Sequence, residues 1–431
     1  MSTANQYLMP RSVPTGVAAF SLDGVICLAT AVAIFGYPLV ATLPIFFNLE
    51  TTVATVPFRV FVAACSLTVL TLAGLKQRRM PAPAAFLLLA LTVLLVLTLR
   101  FIYHTMLLGL APHPTHNAGE FAVFFYGVTV LPALALCMPM RSRIAAASYR
   151  WLLTIGALTV TLTILAVSAF APEIEVGARA ESEGLNAITY ASVGATLIML
   201  TWPAGQRTRL ATIFWRSGAV ALGAIPLVSA ASKGPIIALV VAIAAYQIAS
   251  FGSSRWIKSM ALVVALAALA VVGREWAFST VDGDAPWALA LRLSDVGDDT
   301  STLERLSILQ SSWDTFATSP LQGGAMVEPV LLAYPHNVLL EALMVGGVFF
   351  GIAVTFLLGW TGVRAVTLLK RQPDPFSAFV GMYALFMLSM SMLSGSLYRG
   401  PELWVAVALT FAYQRTPRLR NSAATRTRSR L

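Results

Sequence analysis

The sequence predicts an all-α polytopic membrane protein. Of its 431 residues, 58% are hydrophobic and only 11% are charged, and the mean hydropathy is +0.78. Soluble domains carry about a quarter charged residues, so this composition excludes an ordinary soluble domain. The apolar residues fall in runs of about 20, which is the length that an α-helix needs to cross a bilayer.

About twelve such runs follow one another along the chain, separated by charged residues and by glycine and proline. The predicted spans are 24–47, 54–75, 83–103, 119–140, 151–171, 187–204, 210–230, 235–251, 259–273, 337–360, 376–397 and 403–413.

These runs divide the chain into four segments. Residues 1–273 hold spans one to nine, and residues 274–335 form one large loop. Residues 336–414 hold spans ten to twelve, and residues 415–431 form a basic tail.

The positive charge of the chain predicts its orientation in the membrane. Lysine and arginine outnumber aspartate and glutamate by 29 to 19, which gives a net charge of +10. Most of the basic residues lie in alternate short loops and in the tail, and loops of this kind are cytoplasmic in membrane proteins. We therefore expect both termini in the cytoplasm, the large loop on the opposite, external side, and no nucleic-acid partner.

The large loop is acidic and contains a predicted amphipathic helix over residues 302–318. Ser301 or Thr302 is expected to cap this helix, and Pro320 is expected to end it. Apolar side chains recur at three- and four-residue steps, as they do along one face of a helix. The predicted apolar stripe consists of Leu306, Leu309, Trp313 and Phe316.

Lys233 is the first candidate for binding an anion. It lies in a Ser-Lys-Gly-Pro turn, and Pro235 is expected to be the first residue of the eighth helix. Free backbone N–H groups at a helix start favour a phosphate. The alternative is a lysine whose ammonium reaches the membrane interface while its stem stays in the apolar region.

Arg305 is the second candidate, because it is a single guanidinium on the amphipathic helix of an acidic loop. The planar, forked guanidinium suits a phosphate or a diphosphate. The alternative is an ion pair with Glu304 or Asp314 on the same loop.

His336 is the candidate for acid–base chemistry. It lies in Tyr-Pro-His-Asn-Val-Leu-Leu-Glu, where the large loop returns to the membrane. A neutral imidazole there can accept a proton from a sugar hydroxyl. The alternative is a histidine that merely occupies the interface or the end of a helix.

Several other chemistries find little support. Asp282 and Asp284 resemble the acidic pair that metal-dependent glycosyltransferases use, but one such tripeptide is a weak signal. His113 and His116 flank a proline in an irregular stretch, which is typical of solvated loop residues rather than of a metal site. The sequence has neither the glycine-rich loop of ATP-driven transporters nor the zinc-protease histidine pair. Charged residues are also scarce within the spans, whereas coupled transporters place them there.

The order of these residues resembles the O-antigen ligase and polymerase superfamily, and within it the O-antigen ligases of lipopolysaccharide synthesis. The resemblance combines about twelve spans, a large loop before the tenth, a Ser-Lys-Gly turn before the eighth, and short motifs around the loop. In this sequence those motifs are Lys233, Arg305, Trp313, Pro320, Leu321, Gly323, His336, Asn337 and Leu340.

Two departures from the family pattern stand out. Lysine occupies position 233, where the family often has arginine, so the charge remains and the forked geometry is lost. The Pro-Leu-x-Gly motif that ends at Gly323 is not followed by the further alternating glycines of the family.

The resemblance implies a metal-independent, inverting glycosyltransferase of the GT-C type in the bacterial inner membrane, with no cofactor. It would move a finished O-antigen polysaccharide from undecaprenyl diphosphate to a sugar hydroxyl of lipid A-core, at the periplasmic face. His336 would be the general base, and Arg305 and Lys233 would stabilise the departing diphosphate. Arg399 and Arg100 are further candidates for phosphate contacts, on the grounds of their charge and their predicted side of the membrane.

Other activities remain open on the sequence alone. An O-antigen polymerase or a protein O-oligosaccharyltransferase of the same superfamily would use the same diphosphate site. A glycolipid flippase or transporter is the alternative from a different class.

Overall fold

The computed structural model describes most of the chain. The described residues are 22–47, 49–76, 82–112, 117–140, 142–170, 186–203, 210–230, 232–251, 300–329, 333–371 and 374–413. The predicted ninth span, residues 259–273, and the basic tail lie outside them.

Every regular element among the described residues is a helix, and we number these helices in chain order. They are α1 Leu22–Phe47, α2 Thr51–Leu75, α3 Ala84–Leu107, α4 Ala118–Leu136, α5 Ser142–Phe170, α6 Ala187–Thr201, α7 Leu210–Ser229, α8 Lys233–Phe251, α9 Thr300–Thr318, α10 Val338–Arg371, α11 Pro375–Ser394 and α12 Pro401–Ala412.

Eight of these helices are long and apolar enough to cross a membrane, namely α1 to α5, α8, α10 and α11. Three more, α6, α12 and most of α7, are apolar but shorter. The remaining helix, α9, is the amphipathic helix of the large loop. The predicted all-α membrane architecture is therefore confirmed at this level, and the helices follow the order of the predicted spans.

Some helix ends differ from the prediction. Helix α5 begins at Ser142 rather than at residue 151, and α10 continues to Arg371 rather than ending at residue 360. These extensions carry arginine and lysine, which hydropathy alone assigns to loops. In the structure they remain helical because one face still packs inward, as the buried Ile144 and Ala145 show.

The helices bury two apolar cores and leave other apolar faces exposed. Helices α1, α5, α6, α8 and α11 contribute most of the first core, and α3, α4, α10 and α12 contribute most of the second. On the outside, large apolar side chains such as Leu88, Phe349 and Phe356 are about 70% exposed. Such surfaces suit a bilayer, in which lipid tails replace water around the helices.

Loops and helix ends that are predicted to be cytoplasmic meet at one end of the helix bundle. At one end, the Met140 N–H donates to the Ala412 carbonyl at 2.8 Å. The Arg364 guanidinium donates to the carbonyls of Thr410 and Tyr413 at 3.3 and 3.4 Å. These residues belong to loops and helix ends that the charge distribution predicts to be cytoplasmic, and they meet in the structure.

Helix α10 is broken near its start by the turn that follows α9. Gly347 has a positive φ of 74°, and Gly323 in the turn has a φ of 77°. An unbroken helix would pair the Val348 N–H with the Met344 carbonyl. Instead, the Val348 N–H donates to the Pro320 carbonyl at 2.8 Å, and the Met344 carbonyl accepts from the Gly324 N–H at 2.9 Å.

The turn thus provides a new partner for each of the two groups that would form the missing helical hydrogen bond. Its Pro-Leu-x-Gly sequence therefore stabilises the break in α10. The section of α10 after the break, residues 348–371, is about 36 Å long and can span the hydrocarbon region by itself.

We expect Gly347→Ala to destabilise the protein. A left-handed backbone costs a side-chain-bearing residue about 1–2 kcal/mol, and the added Cβ would also collide with the Leu321 carbonyl. Thermal unfolding of the purified protein in detergent measures the effect. Gly359→Ala is the matched control on the same helix, because its Cβ would meet no atom within 4 Å. Equal stability of the two variants would contradict the role assigned to the break.

Candidate active site

Helix α9 supports Arg305 at the edge of the bundle. The predicted helix is confirmed over Thr300–Thr318, and it ends just before Pro320 as expected. The predicted cap is wrong, because Ser301 and Thr302 lie inside the helix, which starts earlier than the apolar periodicity indicates.

The face of α9 that is buried also differs from the predicted stripe. Leu306 and Trp313 are more than half exposed, whereas Ile308 and Ser312 are buried. Arg305 lies three residues before Ile308, on the same face of the helix, and is half-buried. The guanidinium therefore belongs to the side of α9 that packs against α10.

Arg305 does not form the local ion pair that was its alternative role. Neither Glu304 nor Asp314 pairs with it, and the Asp314 carboxylate instead accepts a hydrogen bond from Gln310 Nε2 at 3.0 Å. Within the described ranges, no hydrogen bond or ion pair of the Arg305 side chain was found. Its donors are thus available for an anion.

The segment before α10 holds His336 in an uncommon backbone conformation. His336 has a φ of 55°, the left-handed region, and is the one described residue other than glycine with a positive φ. Asn337 follows it and caps α10, because its Oδ1 accepts from the N–H groups of Leu339 and Leu340 at 3.1 and 3.0 Å. Strained backbone of this kind persists where the surroundings enforce it and is concentrated at functional sites.

Four side chains converge at this point, and we call them the Arg305 cluster: Arg305, Tyr334, His336 and Arg399. The ring centres of Tyr334 and His336 are 4.7 Å apart, and the Arg399 guanidinium carbon lies 5.9 Å from the centre of the Tyr334 ring. Both arginines lie within electrostatic range of the Tyr334 hydroxyl. The cluster therefore unites residues from α9, from the segment before α10, and from the turn between α11 and α12.

His336 is neutral at physiological pH in this environment. Burial, and secondarily the positive charge of Arg305, lower the pKa of His336 from its ordinary value of 6.5 to about 4. Its Nδ1 is buried without a hydrogen-bond partner among the described residues. The imidazole can therefore accept a proton, although without a bound anion it is a weak base.

Glu341 holds the turn that carries Arg399. Its buried carboxylate accepts from the Ser396 hydroxyl at 2.8 Å and from the Leu397 N–H at 2.6 Å. The Ser396 oxygen in turn accepts from the Arg399 N–H at 3.3 Å. From the same first turn of α10, Asn337 Nδ2 donates to the Met392 carbonyl at 3.1 Å.

Sequence reasoning did not identify Tyr334 and Glu341 as part of the site. Both occur in the octapeptide that contains His336. A glutamate within an apolar span indicates a functional residue, and this signal could have identified Glu341.

We expect Glu341→Ala to destabilise the fold by about 2–4 kcal/mol and to lower activity as well. The change leaves the Ser396 hydroxyl and the Leu397 N–H buried without an acceptor, at about 1–3 kcal/mol each. Glu341→Gln keeps one acceptor oxygen and should fall between Ala and the wild type in thermal unfolding. Glu304→Ala, which removes an exposed carboxylate, is the control. If Glu341→Ala lowered the unfolding temperature as little as Glu304→Ala does, the role assigned to Glu341 would be refuted.

Lys233 lies at the start of α8, at the same end of the bundle. The helix begins at Lys233 and not at Pro235 as predicted, because a proline is also tolerated later in the first turn, where its missing N–H has no helical partner. Next to it, the Gly234 backbone packs against Met390 and Leu393 of α11. Asn337 donates to the Met392 carbonyl, so α8 and the segment before α10 both contact the stretch of α11 from residue 390 to 393. Among the described residues, Lys233 makes no hydrogen bond or ion pair with the cluster.

Arg100 supports the turn after α9. Its guanidinium donates to the Gly323 carbonyl at 2.8 Å and lies 5.5 Å from the centre of the Tyr103 ring. It also lies within electrostatic range of Tyr398, close to Arg399 in the chain. In this structure, one of its donors therefore serves the fold at the Pro-Leu-x-Gly turn.

The candidates for metal chemistry lie outside the described residues. These are Asp282 and Asp284 in the large loop, and His113 and His116 in the loop between α3 and α4.

Comparison with known proteins adds no family to this picture. Neither a protein-family model nor a curated protein matches the chain.

Proposed function

We propose that the protein is an O-antigen ligase that acts on a lipid diphosphate at the Arg305 cluster. One observation carries this proposal: Arg305, which forms no described ion pair, lies within electrostatic range of a neutral histidine. A second guanidinium, that of Arg399, lies over the adjacent Tyr334 ring. Two cations and a proton acceptor are the groups that transfer from a diphosphate requires.

The proposed reaction is a single displacement at the anomeric carbon of the donor glycan. The oxygen of a lipid A-core hydroxyl forms the new glycosidic bond, and the bond between the anomeric carbon and the diphosphate oxygen breaks. The electron pair of that bond leaves with undecaprenyl diphosphate, and the hydroxyl proton moves to His336. Direct attack of this kind inverts the anomeric configuration.

The cations act on the leaving group. Negative charge develops on the diphosphate oxygen as the bond breaks, and preorganised guanidinium groups stabilise it. Arg305 and Arg399 are the proposed contacts, and Lys233 and the remaining donors of Arg100 are secondary ones. The protein would have the GT-C architecture, lie in the bacterial inner membrane with both termini cytoplasmic, and act without a metal ion or cofactor.

The environment of His336 suggests that the donor activates the base. Arg305 helps to keep the pKa of His336 low, and a diphosphate bound to Arg305 would neutralise that charge. Binding of the donor would thereby raise the pKa of His336 and its strength as a base. Proton transfer would then be favoured only when the leaving group is already in place.

Deletion of the gene in its native host tests the ligase assignment. A ligase predicts that unattached long polymer accumulates on the carrier lipid while lipid A-core remains bare. A core that carries a single repeat would indicate a polymerase. Normal lipopolysaccharide with loss of a protein-linked glycan would indicate a protein O-oligosaccharyltransferase.

A further inference from the structure

Arg59 is a charged residue within an apolar helix that the proposed reaction does not use. It lies on α2, whose side chains Val56, Val60 and Phe61 are exposed on the bundle surface and therefore face the lipid. A guanidinium within a span is costly, and such residues usually mark a functional site.

The contacts of Arg59 leave part of its hydrogen-bonding capacity unused. Its Nε is buried and has no hydrogen-bond partner among the described residues, and no carboxylate of these residues forms an ion pair with it. The guanidinium carbon instead lies 5.5 Å from the centre of the Phe124 ring. A buried donor without an acceptor in a folded protein requires an explanation, and an absent ligand is one.

Tyr37 connects Arg59 with the Arg305 cluster. Arg59, Arg399 and Glu402 all lie within electrostatic range of the Tyr37 hydroxyl. Arg399 is a member of the cluster, so Arg59 and the cluster both influence the same tyrosine hydroxyl.

Two aromatic residues near Arg59 lie in or directly after irregular helix. Tyr37 directly follows the π-helical segment Val32–Gly36, and Phe124 lies within the π-helical segment Val123–Val130. Segments of π-helix are rare and are frequent at functional sites. Two independent features therefore coincide at Arg59, namely a buried Nε without a described hydrogen-bond partner and the irregular helix in or next to its aromatic neighbours.

We propose that Arg59 binds a phosphate of the lipid-linked donor on the membrane side of the cluster. An isoprenoid diphosphate must leave its tail in the bilayer while its phosphates reach Arg305 and Arg399. A cation on a helix with a lipid-facing side, within electrostatic range of a tyrosine that Arg399 also influences, can contact the head group under that restraint. The inference rests on the proposed function, and it adds a binding residue that the reaction itself does not require.

Binding of undecaprenyl diphosphate to the full-length protein in nanodiscs tests this role. Arg59→Gln is expected to weaken binding about tenfold or more, which corresponds to the loss of one charge-assisted hydrogen bond. Arg59→Lys should recover part of the affinity, because it keeps the charge. Arg216→Gln is the matched control, since Arg216 is also an arginine within a span but lies near Tyr149 and Tyr246, away from the cluster.

The possible outcomes separate this inference from the proposed function. Wild-type affinity of Arg59→Gln, with lost affinity of Arg305→Ala, would overturn the role of Arg59 and leave the proposed function intact. Equal weakening of phosphatidylglycerol binding would overturn it as well, because Arg59 would then be a general lipid contact. If the wild-type protein itself failed to bind undecaprenyl diphosphate, both proposals would fail. Size-exclusion profiles and thermal unfolding of each variant show that the comparison concerns folded protein.

Discussion

Arg305→Ala is expected to lower the rate of glycan transfer about 10²–10³-fold, while the protein remains folded. This is the usual cost of removing one preorganised donor that stabilises charge on a leaving group. Stability should change little, because the described residues provide no hydrogen bond or ion pair that the Arg305 side chain would lose. The measurement is kcat for purified protein with lipid-linked glycan and lipid A-core.

Two variants sharpen this test. Arg305→Lys keeps the positive charge and loses the forked geometry, so its rate should lie between those of the wild type and the alanine variant. Glu304→Gln changes the charge at the neighbouring exposed position and should leave the rate unchanged. Near-normal transfer by folded Arg305→Ala would refute the role of Arg305 in the reaction.

His336→Asn is expected to lower kcat about 10²–10⁴-fold, the range in which a general base contributes. Asparagine tolerates a left-handed backbone better than most residues, so it should preserve the conformation at this position. His336→Gly removes the imidazole and also relieves the backbone strain, and it should be at least as stable as the wild type. Normal rates for both folded variants would exclude His336 as the base.

The pH dependence of the wild-type rate provides a second readout for His336. The neutral form is the base, so activity is present above the pKa of His336 and is lost as the pH falls through it. Because this pKa is lowered to about 4, kcat/KM should stay constant from neutral pH to about 5 and fall only below that. Arg305→Lys should leave this limb in place, whereas Arg305→Ala should move it to higher pH, since one cause of the lowered pKa is removed. An unperturbed histidine would instead lose activity below about 6.5.

The sequence predicted the helices well because the bilayer constrains them. Each span needs about 20 apolar residues, and this signal survives without any knowledge of packing. The break in α10 was not predictable, because Val-Gly-Gly-Val reads as part of one apolar run. Only the structure shows that the turn at Gly323 packs against α10 and replaces the hydrogen bond that is missing from this helix.

The candidate site was predictable in part. The periodicity of α9 predicted its helix but not its buried face, because apolar side chains such as Leu306 and Trp313 need not be covered by protein next to a membrane. Arg305 and His336 were identified from their residue types and their place in the loop. Tyr334 and Glu341 were not, because their roles depend on contacts across the chain with Arg399 and Ser396.

The most direct test of the proposed function is the reaction reconstituted from purified components in the presence of EDTA. Wild-type protein, undecaprenyl-diphosphate-linked glycan and lipid A-core should yield glycosylated lipid A-core and one undecaprenyl diphosphate for each glycan transferred, with inverted anomeric configuration. Absence of the covalent product, or its loss in EDTA with recovery on adding magnesium, would contradict the proposed metal-independent transfer. Movement of the lipid-linked glycan across proteoliposomes without product would instead identify a transporter.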